Sequence, residues 1–172
     1  MELFQVVESG EGIERAIRQG LARRGGVTGR CVTGGHPALL VVSPKAARQE
    51  CSLPLACRTA LLPGERTVPE GLRAAATVCY GISPRDSLTI SRREKDVLWA
   101  VLQRELVTVD GQVVRRQEFP VSIGCGRREL STLAAVGGLL LLGVPPEELS
   151  RISKNEKIIV DNRNKRCYNL HC

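Results

Sequence analysis

Aromatic side chains are scarce. Phe, Trp and Tyr make up 3% of the 172 residues, with one Trp, two Tyr and two Phe. That is too few for a nucleic-acid stacking surface. The core must come from Leu, Val, Ile and Ala, and an apolar share of 42% is enough to build one. No apolar run approaches the roughly 20 residues of a membrane span. The opening MELFQVVESGEG has no basic segment leading into a long apolar one. No secretory signal is therefore expected, and a cytoplasmic location is. The seven cysteines (31, 51, 57, 79, 125, 167 and 172) include no CxxC pair. In a cytosolic chain most act as small buried hydrophobes. Cys31, His36, Cys51 and Cys57 form the sharpest metal candidate, but their spacing matches no common zinc pattern, so no metal is expected.

Charge is unevenly spread. The net charge is +7, and residues 151–172 hold six Lys or Arg against two acids, a share of +4. The body keeps only +3, so its charge makes no case for a nucleic-acid partner. All four Asn (155, 162, 164 and 169) and three of the five Lys also lie in those last residues. The change divides the chain into one domain, residues 1–150, and a basic tail, 151–172, set aside as a tail or scar. Its Ile158-Ile159-Val160 could add an edge strand.

Leu3–Val7 suits a strand, and Ser9–Gly12 a turn. Ile13, Ile17 and Leu21 recur every four residues among arginines, which predicts an amphipathic helix ending at Gly25-Gly26. The Gly- and Thr-rich residues 25–35 invite a phosphate-loop reading. They lack the Lys-Ser/Thr end of GxxxxGK[ST], and they follow a helix instead of a strand. A connector is expected. Ala38–Ser43 reads as a buried parallel strand, Pro44–Gln49 as a helix start, and Thr59–Leu62 as a second strand. Glu70–Ala75 reads as a helical turn and Thr77–Ile82 as a third strand. This rhythm predicts an α/β unit with right-handed crossovers.

The second half differs. Ser87–Ser91 alternates like a strand. Val97–Val109 and Gln112–Val121 flank Asp110-Gly111, predicting a hairpin with a two-residue type I′ turn. Pairing Val109 with Gln112 sets Val107 against Val114, Glu105 against Arg116 and Leu102 against Phe119. From Leu133 to Val144 the residues are apolar or small, which predicts an enclosed helix packed on this sheet. Ser131 or Thr132 would cap its start. Gly143 would take the left-handed position at its end, with Pro145 and Pro146 beyond. The expected architecture is α/β in three layers: parallel strands first, an antiparallel hairpin second, helices flanking.

Three stretches in order, ALLVVSPKAA, VCYGISPRDSLTIS and FPVSIGCGRRELSTLAAVGGLLLLGVPPEEL, resemble the central ATP-binding domain of the Mur ligases over about residues 38–150. These are the ATP-dependent enzymes that add amino acids to peptidoglycan precursors, so the resemblance implies a bacterial source. The first stretch looks like the strand where that family has an Asn-Ala-Asp-Asp-Pro segment, and the second like its Thr-Tyr-Gly strand. The third is similar to its Gly-Arg-His-Asn turn, Ala-rich helix and Gly-Val-Pro-x-Glu-Glu stop. The departures concern chemistry. The P-loop is missing, the His-Asn pair is replaced around Arg127 and Arg128, and the Asn early in the helix corresponds to Ser131. No residue matches the modified catalytic lysine, and nothing in the sequence corresponds to the C-terminal domain. Glu8 alone is placed like a magnesium-binding Glu.

No catalytic residue emerges. His36 has no nucleophile partner, and Asp86 and Asp96 are no evident carboxylate pair. Trp99 reads as a core or edge residue. Arg127 and Arg128, before a helix, are the candidate ligand-binding residues, with Lys45 at another helix start. They would suit a phosphate or carboxylate, or form a solvated face. The expected function is a non-catalytic Mur-ligase-like binding or assembly module tied to cell-envelope metabolism, with a protein partner or homo-oligomer, no membrane, and no cofactor that the sequence supports, ATP and magnesium included. The alternatives are a small nucleotide- or metabolite-binding α/β enzyme, its site at the carboxyl ends of strands 39–43 and 77–82, and a basic nucleic-acid binder.

Overall fold

A computed structural model describes residues 3–24, 30–31, 36–49, 53, 56–64, 70–123 and 128–155. The expected α/β architecture is present. Ten strands, β1 (Leu3–Val7), β2 (Arg30–Cys31), β3 (Leu39–Val42), β4 (Ala56–Pro63), β5 (Arg73–Tyr80), β6 (Leu88–Glu94), β7 (Val97–Leu102), β8 (Leu106–Val107), β9 (Val113–Val114) and β10 (Glu118–Ser122), accompany three helices. These are α1 (Ile13–Ala22), α2 (Glu129–Leu141) and α3 (Pro146–Asn155). Eight strands form one sheet in the order β10-β7-β6-β5-β4-β3-β1-β2, and β8 and β9 pair separately. Strands β2 to β6 of this order pair in parallel, while β7 is antiparallel to both β6 and β10.

The buried parallel strand is β3. All four of its residues are buried, because both sheet faces are covered. Leu39 and Val41 join the larger core with α1 and α2. Leu40 and Val42 join a smaller cluster with Ala46, Cys57, Ala60 and Leu62 on the other face. That second face is covered by a one-turn 3-10 helix, Ala46–Arg48, where a longer helix was expected from Pro44–Gln49. Ser43 sets its start. Its Oγ accepts the Ala46 N–H at 3.0 Å and its carbonyl the Ala47 N–H at 3.0 Å, closing a local turn.

Helix α2 lies across β3, β4, β5 and β6 and beside α1. The two helices approach through reciprocal notches. A Cβ on Gly20 would stand 2.7 Å from Leu139, and one on Gly138 2.6 Å from Ile17. Each glycine thus leaves room for the partner's branched side chain. The helix ends as its sequence indicates. Gly143 has φ 84°, its N–H reaches Leu140 O, and the Val144 N–H reaches Leu139 O. That pair of bonds is the Schellman closure, sealed by the buried Val144 and Leu139. The start differs from expectation. Arg128 takes the N-cap position without a side-chain bond, and Ser131 and Thr132 lie inside the first turn. In α3, Pro146 opens the helix and Glu147 and Glu148 fill its first turn. This helix packs on β10 and runs past the composition break at residue 151.

Two strand readings need correction. Arg73–Ala75 belongs to β5, not to a helical turn, because β5 pairs with β4 from Arg73 onward. The hairpin is also divided. Its tip, β8–β9, pairs Leu106 with Val114 and Val107 with Val113. Its base, β7–β10, pairs Ala100 with Phe119 and Val101 with Glu118. The tip lies one residue off the expected register, and the base two. The turn causes the shift of the tip. Gly111 has φ 89°, Asp110 does not take a positive φ, and the Gly111 N–H binds Thr108 O at 3.0 Å. Thr108 N–H then closes on Gln112 O at 2.8 Å. This is a three-residue loop with a left-handed Gly, not a type I′ turn. A second hairpin, β6–β7 through Lys95-Asp96, was not foreseen. It holds a bulge between Ile90 and Arg92, and Lys95 takes φ 50°.

Filling either notch should overpack the helix–helix contact. Gly20→Val and Gly138→Val should each cost about 1–3 kcal/mol. Urea unfolding measures this, and an unchanged midpoint in both would contradict the notch geometry.

Candidate functional site

In an open α/β sheet, ligands enter at the carboxyl ends of the parallel strands. Here that end gathers the residues after β1, β3, β4 and β5 and the first turns of α1 and α2. The chain has filled it with its own polar groups.

Glu8 follows β1 directly. Its carboxylate turns back onto the start of α1, accepting the Ile13 N–H at 2.7 Å and the Glu14 N–H at 3.1 Å. The N-cap is Gly12, with φ 72° and no side chain to offer, so Glu8 replaces the usual capping oxygen. Exposed N–H groups and the positive end of the helix dipole are what a phosphate would seek. In this protein they already hold an anion.

Glu11 is 2% exposed. One carboxylate oxygen accepts the Ser131 Oγ–H of α2 at 3.0 Å, and the other is buried without a hydrogen-bond partner. Glu11 thereby ties the start of α1 to the first turn of α2. Beside it, the fully buried Tyr80 closes β5, and its hydroxyl donates to Val42 O at 2.7 Å. Burial drives the Tyr80 pKa far above the usual tyrosine range, and the negative charge of Glu11 adds to the rise.

Asp86 fills the next position. It is buried, and its carboxylate accepts the Ser83 N–H at 3.0 Å. A Cβ on Gly64 would lie 1.6 Å from Asp86 Oδ1, and one on Gly81 2.3 Å from Oδ2. The glycines ending β4 and β5 therefore make room for this side chain. Burial raises the Cys79 pKa, as does the nearby charge of Asp86, against a lowering from Arg104.

Among the described residues, these strand ends border a small opening. A cleft of about 20 Å³, lined by Pro44, Ala47, Arg48, Pro63, Gly64, Tyr80, Gly81 and Leu130, lies here. That is about the space of one water. Lys45 is half-exposed beside Pro44, and Arg128 is exposed two residues before Leu130. The fold thus brings the segments bearing these two candidates to one cleft. Arg127 lies outside the described residues. So does Cys51 of the metal candidate. Its Cys57 is buried in the smaller apolar cluster, with a pKa raised by burial, and His36 is exposed. Among the described residues no group of three or more His, Cys, Asp or Glu is placed to hold a metal. No described helix is long and apolar enough to cross a membrane.

Asp96 belongs to the β6–β7 turn, at the other end of β6 from Asp86. Trp99 is half-buried on β7 under Arg92, whose guanidinium carbon is 4.2 Å from the ring centroid. Glu11 is not among the sequence candidates. The signal available in the sequence was the spacing Glu8-x-x-Glu11 at the strand-to-helix turn, where a phosphate loop would need glycine and lysine. No protein-family model matches the chain, and no curated protein is detectably similar to it.

The raised Tyr80 pKa has a consequence for stability. The unfolded chain loses this proton near the ordinary tyrosine value of about 10, while the folded protein keeps it. The contribution is intact below that pH and is lost as pH rises above it. In a Tyr168→Phe background, phenolate absorbance of the folded protein should lag behind that of the urea-unfolded chain. Coincident titration curves would contradict the burial of Tyr80. Separately, Glu8→Ala should destabilise by about 1 kcal/mol through loss of the cap, read from urea midpoints.

Proposed function

We propose that this protein is a non-catalytic α/β binding or assembly module, a relative of the Mur ligase central domain whose nucleotide-binding end is closed by its own carboxylates. The observation that carries the reading is the Glu8 carboxylate on the Ile13 and Glu14 N–H groups. A phosphate needs those donors free, and Glu11, one residue before the N-cap, is already buried there. Two like charges about 4 Å apart near a protein surface, here the Glu8 carboxylate and a phosphate competing for the same N–H groups, repel by about 4 kcal/mol. A helix N-terminus returns about 0.3–1 kcal/mol at an exposed site. Repulsion therefore outweighs the dipole. The placement of Glu8 after β1 also fits a protein that kept the family's scaffold without its phosphate chemistry. The cell-envelope link rests on the resemblance alone.

The reading of a small-molecule enzyme at the same strand ends rests on the position of that end in the sheet alone. Nucleic-acid binding draws mainly on charge in residues 151–172.

The purified chain should neither hydrolyse ATP in the presence of magnesium nor gain thermal stability from magnesium-ATP or inorganic phosphate. A ligand at a hundred times its Kd would stabilise by about 2.7 kcal/mol, which a melting curve resolves easily. Saturable turnover, or a melting temperature that climbs with nucleotide concentration, would overturn the proposal.

A further inference from the structure

The large sheet is staggered at its middle. Strands β4 and β5 pair along nearly their whole length, from Ala56↔Arg73 to Pro63↔Tyr80. Strands β5 and β6 share a single register pair, Tyr80↔Leu88. Strand β6 starts where β5 ends and continues onward, so Arg73–Cys79 pairs with no described strand on the side away from β4. Its exposure agrees. Arg73, Ala75, Ala76 and Thr77 are all exposed, although successive residues point to opposite faces.

Open edges are ordinarily blunted, because a row of unpaired N–H and C=O groups invites another strand. The two ends of this sheet follow that rule. The β10 edge carries Glu118 and Pro120 and has α3 packed on it, and β2 is only two residues long. Among the described residues, the β5 edge has none of these protections. RAAATVC contains no Pro, no Lys and no acid, and its one charge stands at its first residue.

We infer that this edge is an interface between two copies of the chain, joined by antiparallel β5–β5 pairing about a two-fold axis through Ala76. That axis bisects the free stretch, setting Ala76 against Ala76, Ala75 against Thr77 and Arg73 against Cys79 of the second copy. The side chains favour a copy over a foreign peptide. Strand-adding partners are selected by pockets for alternate side chains, and alanines on both faces build no such pockets. Small side chains do allow two backbones to approach evenly. Charge selects the antiparallel sense. It holds the two Arg73 side chains at opposite ends of the pair, whereas parallel pairing would stack them and leave a contact that does not close. The inference is independent of the proposed function, since a nucleotide-binding protein could pair by the same edge.

Sedimentation velocity of the intact chain over a concentration series is the test. The expected result is a species of twice the 18.7 kDa chain mass. Thr77→Lys and Ala75→Lys place a charge on each strand at the axis and should return the mass to that of one chain, with an unchanged circular dichroism spectrum. A wild-type protein that remains a monomer throughout, or variants that remain dimeric, would overturn the inference. Should either variant misfold, amide exchange on the unmodified protein decides. Protection across Arg73–Cys79 should increase with protein concentration, and concentration-independent exchange there would refute the pairing.

Discussion

A helix placed after the first strand of an α/β sheet exposes N–H groups at the sheet's carboxyl end, and something must accept them. In this protein the acceptor is covalently attached. Glu8 lies between β1 and α1 and returns to the Ile13 and Glu14 amides. The neighbouring features follow from that choice. With an anion fixed at the start of α1, no cationic loop is needed to bring in another. Glu11 is then free to be buried and to bind Ser131 of α2. The two helices are joined at this end by a carboxylate–hydroxyl bond and along their length by the Gly20 and Gly138 notches.

The opposite end of the helical layer is tied differently. Arg24, just past α1, donates to Gly143 O at 2.6 Å and pairs with Glu148 of α3 at 3.2 Å. The Val109 N–H at the hairpin tip binds Leu141 O at 2.8 Å, while its carbonyl accepts from Arg58. The carbonyls that end α2 are thus used by the chain's own donors, as the amides that begin α1 are used by its own acceptor. The stagger between β5 and β6 follows from the tight turn at 81–87. Asp86 fills the space between Gly64 and Gly81, so β6 can start only beyond the end of β5.

What the sequence disclosed depended on the range of the interaction. The strand LLVV, the amphipathic α1 and the Gly143 stop follow from local residue types, and all three are present. The hairpin register failed because Asp-Gly serves two turn types with different loop lengths, and the closing bond through Thr108 decides between them. Strand β5 was half-missed. Arg73–Ala75 has the alanine content of a helix, and only pairing with β4 imposes an extended form. The candidate site was legible as an absence: no lysine, no phosphate loop. Its filling was not, because Glu11 meets Ser131 of α2 and Asp86 fills the space beside Gly64 and Gly81, contacts that only the folded chain creates. Arg128 and Lys45 both stand at helix starts, and neither lines the small cleft that Pro44 and Leu130 line.

The most direct measurement is the amide NMR signature of Ile13 and Glu14. Replacing Glu8 by Gln should move these two resonances more than any others in α1, while magnesium-ATP added to the unmodified protein should leave them in place. Resonances indifferent to the substitution, or displaced by the nucleotide, would show that the helix start is open to an outside anion and that the account is wrong.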